Sequence, residues 1–197
     1  MNRFDVVIVG GGHAGAEAAN AAVKSGAKTL LITSSVEKIG EMSCNPSIGG
    51  QAKGQIVKEI DILGGIMGKA ADFSAIQYRI LNRRKGPAVQ ALRAQCDKEL
   101  YKFYIKNHLF SVNGLTVFQG MVSSVEKENN TFFTVRTNTG SIFNTRSIVI
   151  TSGTFLNGTI HIGQEKIDGG RLGEPPSKKL TTSIIKLGHK LLRLKTG

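Results

Sequence analysis

The chain has 197 residues, 40% of them hydrophobic, with 26 Lys and Arg against 14 Asp and Glu, a formal net charge of +12. That is enough for one domain with a real core, and no apolar run reaches the roughly 20 residues of a membrane span. The charge excess fits a polyanionic partner such as nucleic acid or an acidic membrane surface, and equally a solvated surface or one lobe of a larger protein with an acidic remainder.

In chain order, Phe4 to Val9 is a continuous apolar run bounded by Gly10-Gly11-Gly12, which predicts a buried parallel strand. His13 to Ser25 is Ala-rich with helical spacing, and Gly26 stops it. Ala27 to Thr33 predicts a second buried strand, completing a β-α-β unit of about 30 residues. Residues 40–54 form a loop dense in Gly, Ser and Asn. Gln55 to Leu63 predicts a helix ended by Gly64-Gly65, and residues 66–87 are mixed and basic. Ala88 to Asn107 predicts a single helix with Val89, Leu92, Cys96, Leu100 and Phe103 on one apolar face. Leu115 to Phe118 predicts a strand. Val122 to Val125, Phe132 to Thr137 and Ser141 to Phe143 predict a β-meander, and Ser147 to Thr151 a further buried strand ending in Ser152-Gly153-Thr154. Ser177 to Leu187 predicts a helix and Lys190 to Leu194 a strand.

Gly10-x-Gly12-x-x-Gly15 lies directly after a predicted strand and opens a predicted helix, the setting a dinucleotide fingerprint needs. Gly10 permits the tight turn, Gly12 lets a diphosphate approach the backbone, and Gly15 lets the helix pack closely on the strand. Free N–H groups and the positive end of the helix dipole would face the phosphates. Such sites usually hold the ribose with Asp or Glu some 20 residues on. Here the second strand ends Thr33-Ser34-Ser35 and the first acid is Glu37, which weakens a simple NAD reading. The meander and the Thr151–Thr154 turn favour FAD, by analogy with two-dinucleotide-domain flavoproteins.

The segment Ser43-Cys44-Asn45-Pro46-Ser47-Ile48-Gly49-Gly50 is too polar and Gly-rich for core. An accessible Cys44 beside a flavin could act as nucleophile or proton donor, and a helical turn at Pro46 would favour its thiolate. An inert loop cysteine is the even alternative. Cys96, on an apolar face, reads as a buried structural thiol. No CxxC or metal-ligand spacing exists, so no metal site is expected, and two isolated thiols fit a reducing, cytoplasmic compartment. His13 falls inside the fingerprint turn near the expected cofactor. Arg79, Arg83, Arg84, Lys85 and Arg93 form one basic cluster, and Lys178, Lys179, Lys186, Lys190, Arg193 and Lys195 another. Each could contact phosphate or serve only solubility.

Several segments together resemble the MnmG (GidA) family, the flavoproteins of tRNA wobble-uridine modification. They are VGGGHAGAEAA (Val9 to Ala19), GEMSCNPSIGG (Gly40 to Gly50), KEIDILGG (Lys58 to Gly65), RILNRRKGPAVQALRAQ (Arg79 to Gln95), GTFLNGTIHIG (Gly153 to Gly163), and GGRLGEPPS (Gly169 to Ser177) with RLKTG (Arg193 to Gly197). The resemblance implies an α/β, Rossmann-like FAD-binding domain of the glutathione-reductase-like type over residues 1–197. It would carry an insertion at about 40–110 and a β-meander at about 121–146, and be incomplete at its C-terminus.

The resemblance also implies that NADH reduces FAD, that methylenetetrahydrofolate supplies a carbon to C5 of the wobble uridine, and that an amine completes a carboxymethylaminomethyl or aminomethyl group. It implies tRNA as substrate, a homodimer, an MnmE-type GTPase partner and no membrane. Cys44 matches a catalytic cysteine. Gly10, Gly11, Gly12, His13, Ala14, Gly15, Val122 and Ser177 match FAD-contacting positions. The family's NAD-binding insertion, second cysteine and C-terminal helical domain would lie beyond residue 197. The expectation is therefore an N-terminal fragment or truncated product with an exposed sheet edge. The alternatives are a non-catalytic FAD-binding module and a small-molecule NAD(P)H flavin oxidoreductase. The Cys-Asn-Pro loop and the basic segments argue against the latter.

Overall fold

The computed structural model describes residues 3–43, 45–128 and 131–194. The elements, in order, are β1 (Arg3–Val9), α1 (His13–Lys24), β2 (Thr29–Thr33), β3 (Ser47–Gly49), α2 (Lys53–Ile62), α3 (Met67–Ser74), β4 (Ala75–Leu81), β5 (Ala91–Cys96) and α4 (Lys98–Ser111). They continue with β6 (Leu115–Gln119), β7 (Val122–Lys127), β8 (Phe133–Thr137), β9 (Ile142–Ile150), β10 (Thr159–Ile162), β11 (Glu165–Asp168) and α5 (Lys178–Lys186).

A six-stranded sheet in the order β6-β2-β1-β9-β8-β7 organises the molecule. Its β6, β2, β1 and β9 run parallel, and β8 and β7 complete it antiparallel. Both faces of the parallel part are covered, which is why β1 and β2 read as unbroken apolar runs. Ile8 and Leu31 point into a core shared with α1, α3 and α4, through Ala16, Ala70, Tyr101, Ile105 and Leu109. Val7, Val9, Leu30 and Ile32 point into a second core with the meander and α5, through Val125, Val135, Phe143, Leu180 and Ile184.

The insertion between β2 and β6 carries a separate three-stranded antiparallel sheet, β3-β5-β4. Polar groups on α1 fasten it to the main sheet. The buried Asn20 donates from Nδ2 to the Gly64 carbonyl at 3.2 Å, and its Oδ1 lies 3.0 Å from His108 Nε2 on α4. Glu17 accepts from the Ile66 amide at 2.9 Å and the Met67 amide at 2.7 Å. A carboxylate from one helix thus satisfies the open N–H groups at the start of another.

Three expectations fail. Residues 88–107 are not one helix: Ala91–Cys96 is strand β5, and α4 begins only after Asp97. Asp97 accepts from the amides of Glu99 at 2.9 Å and Leu100 at 3.0 Å, an N-cap that sets the helix start. Val89, Leu92, Leu100 and Phe103 are exposed, and the true inward stripe is Tyr101, Ile105 and Leu109 at four-residue spacing. Second, Ser141–Phe143 and Ser147–Thr151 are not separate strands. Residues 142–150 form the single strand β9, which pairs with β8 over Ile142–Thr145 and with β1 along most of its length. Among the described residues Ser147–Ile150 pairs on one side only, and Val149 and Ile150 are 38% and 36% exposed rather than buried. Third, Lys190–Leu194 forms no strand. Among the described residues no helix is long and apolar enough to cross a membrane.

The position of Asp97 gives a test by sign. As an N-cap, Asp97→Ala should cost about 1 kcal/mol of stability, whereas an Asp inside a helix would gain by the change to Ala, the better helix former. Urea denaturation of Asp97→Ala should show a lower midpoint than wild type, with Asp97→Asn restoring most of it. A raised midpoint would return the helix to residues 88–107.

Candidate functional site

The turn from β1 into α1 is built by close backbone approach. Gly10 sits at φ +110, a left-handed region open to glycine, and its amide donates to the Ile32 carbonyl at 2.8 Å. A Cβ on Gly15 would lie 1.8 Å from the Gly10 carbonyl oxygen, so only glycine lets α1 seat on β1. A Cβ on Gly12 would meet nothing within 4 Å: that position faces open space. The first backbone bond of the helix is Ala16 N–H to Gly12 C=O at 2.9 Å. The amides before it are the open donors of a helix N-terminus, aimed where an anion would rest.

The C-terminal end of β9 closes the other side of the turn. The Thr151 amide donates to the Val9 carbonyl at 2.8 Å, and its hydroxyl lies 3.0 Å from the carbonyls of both Val9 and Gly10. Ser177, before α5, donates from Oγ to the Val122 carbonyl at 3.1 Å. Together these segments enclose a cavity of about 290 Å³. Gly10, Gly11, Gly12, Val122 and Ser177 line it, and Thr33, Ser34 and Ser35 line it from the end of β2. His13, Ala14 and Gly15 are not among its lining residues. Ser43 lines it too; its neighbour Cys44 lies outside the described residues. Pro46 opens no helical turn, because Ser47–Gly49 is the strand β3, so the thiolate-stabilising turn expected there is not formed.

The missing acid at the end of β2 is clarified by geometry. Glu37 turns away to Lys106 at 2.7 Å and is absent from the cavity lining. Hydroxyls of Ser34 and Ser35 occupy that end with Lys38. A feature not foreseen from the sequence lies at the rim, where Lys38 pairs with Glu174 at 2.7 Å. Arg171 stands 3.3 Å from Glu41 and 3.9 Å from Glu174, and over the Phe155 ring at 5.6 Å. Nothing in the sequence signalled this, since no spacing rule joins residue 38 to residue 174.

His13 packs edge-on against Tyr101, ring centroids 5.5 Å apart. His13 Nδ1 and the Tyr101 hydroxyl are both buried without a hydrogen-bond partner among the described residues. Burial, and then the Arg171 charge, lower the His13 proton affinity; burial pushes the Tyr101 phenol up. Cys96 is buried, as expected, and its thiol is pushed up by desolvation. Of the two basic clusters, Arg79, Arg83, Arg84, Lys85 and Arg93 come together on the β4–β5 hairpin. The other disperses: Lys178 pairs with Asp168, Arg193 reaches the Asn157 carbonyl, and Lys195 lies outside the described residues. No His, Cys, Asp or Glu group among the described residues could hold a metal.

The parallel sheet, the glycine turn and the cavity at its carboxyl edge define a Rossmann-like dinucleotide-binding domain of the flavoprotein type. The corner suits the diphosphate of such a cofactor: it lies at the N-terminus of α1, Gly12 on its wall is unobstructed, and no carboxylate stands at the end of β2. Comparison with known proteins places the chain further. Residues 5–197 match the model of the family described as Glucose inhibited division protein A, and the chain belongs to that family. It is 50% identical over 195 residues to the tRNA uridine 5-carboxymethylaminomethyl modification enzyme MnmG of Campylobacter hominis, covering 99% of this chain and 30% of that one. It is 52% identical over 194 residues to the MnmG of Thermodesulfovibrio yellowstonii, covering 98% and 31%. The solved Aquifex aeolicus GidA superposes with a TM-score of 0.89 at 51% identity, over 94% of this chain and 31% of that one. The chain thus spans about a third of the length of these relatives.

His13 and His108 make stability depend on pH. Burial lowers both, with Arg171 adding for His13 and Lys24 and Lys69 for His108. The unfolded chain then binds protons more readily than the folded one, so stability is full above the ordinary imidazole value near 6.5 and falls as pH drops through it. The urea midpoint should decline between about pH 7.5 and about pH 5.5. The His13→Gln/His108→Gln double variant should lose most of that decline. An equal decline in the double variant would assign it to other groups.

Proposed function

We propose that this chain is the FAD-binding part of a tRNA-modifying flavoprotein that builds a carboxymethylaminomethyl or aminomethyl group on C5 of a wobble uridine. The observation that carries the reading is the cavity at Gly10–Gly12, closed by Thr151, Val122 and Ser177, in a chain half identical to MnmG proteins. FAD bound there supplies the redox chemistry of the reaction.

In this reading the amides of the fingerprint turn take the diphosphate, and Ser34 and Ser35 take the ribose in place of the absent acid. Gly12 keeps the approach clear. Arg171 and Lys38 hold the rim through Glu41 and Glu174, so that Phe155 and the Gly169–Ser177 strand of chain remain over the cavity. Cys44 is the proposed nucleophile or proton donor of the uridine chemistry, on its match to the family's catalytic cysteine. Methylenetetrahydrofolate as carbon donor, NADH as reductant, an MnmE-type GTPase partner, a homodimer and a cytoplasmic setting complete the proposal. They rest on family membership.

The test is a graft. Replacing the matching segment of a full-length family member with these residues, in cells lacking their own enzyme, should restore the modified nucleoside, read by mass spectrometry of digested tRNA. The same graft with Cys44→Ser should retain flavin and lose at least nine-tenths of the modification, roughly the tenfold or greater loss expected when a nucleophile or proton donor is removed. Undiminished modification would take Cys44 out of the mechanism. A graft that binds flavin but restores nothing even with Cys44 intact would favour a non-catalytic FAD-binding module.

A further inference from the structure

Away from the dinucleotide cavity, the β4–β5 hairpin forms a second concavity of about 750 Å³. Its strands are in register with Ile80 opposite Leu92 and Arg79 opposite Arg93. Residues 73–96 contain five Lys or Arg and no Asp or Glu. None of the five makes an ion pair among the described residues. Like charges directly opposite across a strand pair are destabilising, so Arg79 and Arg93 leave a local cost that a bound anion would relieve.

The rest of the hairpin holds these charges in place. Asn82, at φ +56, donates from Nδ2 to the Val89 carbonyl at 3.0 Å, and Gln90 donates from Nε2 to the Lys85 carbonyl at 3.0 Å. The loop bearing Arg83, Arg84 and Lys85 is thereby tied to its own base, and its cations project from a preorganised frame. Beside them Tyr78 is half exposed, and its hydroxyl donates to Asp72 at 2.6 Å. That bond orients the ring, pushes the phenol up to about 12, and occupies the nearby carboxylate. Ile80 and Leu92 are exposed in the same concavity. Guanidinium groups spaced along a groove with an oriented aromatic ring make a surface for a single-stranded nucleic acid, phosphates on the arginines and a base against the ring.

We infer that the β4–β5 hairpin is an RNA-binding surface, with Arg79, Arg83, Arg84 and Lys85, which line the concavity, taking backbone phosphates of an unpaired segment and Tyr78 stacking a base. This rests on the reading of the chain as part of a tRNA-modifying enzyme, and it places the RNA contact outside the flavin cavity. The hairpin contact is sequence-tolerant: it orients the RNA and does not read its bases.

The test is equilibrium binding of the full chain to an unmodified tRNA transcript with a wobble uridine, measured across a salt series. The Arg79→Ala/Arg83→Ala/Arg84→Ala variant should bind between roughly ten- and one-hundred-fold more weakly near 0.15 M salt. The slope of log K against log salt should fall by about 2, because each phosphate contact contributes about 0.7 for a single strand. The corresponding triple Lys variant should keep the slope. A matched loss of charge elsewhere, Lys127→Ala/Lys166→Ala/Lys186→Ala, should change affinity less than threefold. Tyr78→Ala should weaken binding about tenfold with no change of slope. Circular dichroism of each variant confirms the fold. Wild type that binds while the Arg-to-Ala variant binds equally, or no more weakly than the matched lysine variant, overturns the hairpin assignment and leaves the functional reading standing. Wild type without affinity for tRNA at low salt overturns both for this chain. Loss of self-association or of binding to anionic phospholipid vesicles in the Arg-to-Ala variant, with tRNA affinity intact, would also overturn it, reassigning the face to a second copy or a membrane.

Discussion

The seat of α1 on β1 governs the rest of the molecule. With Gly15 pressed against the Gly10 carbonyl, a helix and a strand approach more closely than any side chain allows. That fixes where the helix begins, and so where its open amides point. The same contact draws in Thr151, whose hydroxyl lies within hydrogen-bonding reach of the Val9 and Gly10 carbonyls. Segments from residues 10, 33 and 151 therefore meet at one corner, and the cavity is the space they leave. The two apolar cores on either face of the sheet hold that corner rigid, since Val6 to Val9 of β1 and Leu30 to Ile32 of β2 alternate between them.

The helix that presents the amides also carries the insertion. Glu17 and Asn20 lie on α1 just beyond the fingerprint; Glu17 binds the start of α3, and Asn20 bridges the end of α2 at Gly64 to His108 on α4. Buried polar groups so satisfied fix one arrangement of the insertion against the sheet. The consequence reaches function at two distances. Close by, the loop after β2 brings Ser43 to the cavity wall. Farther out, the insertion turns Arg79, Arg83, Arg84 and Lys85 of the β4–β5 hairpin, none ion-paired among the described residues, to solvent. A cofactor corner and a charged outer face are thereby held in a fixed relation by one helix.

Much of this was legible in the sequence where a single rule applies locally. The run from Phe4 to Val9 and the glycine spacing after it define strand, turn and helix from neighbouring residues alone. Val122 and Ser177 were named only through resemblance, and no spacing could have joined them, because their contact depends on how the meander and α5 close over β9. The stretch from Ala88 to Asn107 misled because an exposed alternation in a hairpin, followed by a helix, mimics one longer helical stripe. Asp97, a capping residue in the middle of that stretch, was the local signal that should have divided it. The long strand β9 was split because its middle, Asn144 to Arg146, is polar where it passes from antiparallel to parallel pairing. The ion pairs at the cavity rim were not readable at all, since they join residues over a hundred positions apart.

The central claim is that the open corner at Gly12 receives the diphosphate of a flavin coenzyme. Equilibrium titration of the purified chain with FAD, followed by quenching of flavin fluorescence, tests it most directly when paired with Gly12→Val. The new side chain would occupy space that is empty of protein and leave the sheet and helix intact. The account predicts saturable binding by wild type and at least a tenfold weaker affinity in the variant, a loss of about 1.4 kcal/mol or more, with an unchanged unfolding midpoint. Equal affinity of the two proteins for FAD would contradict it.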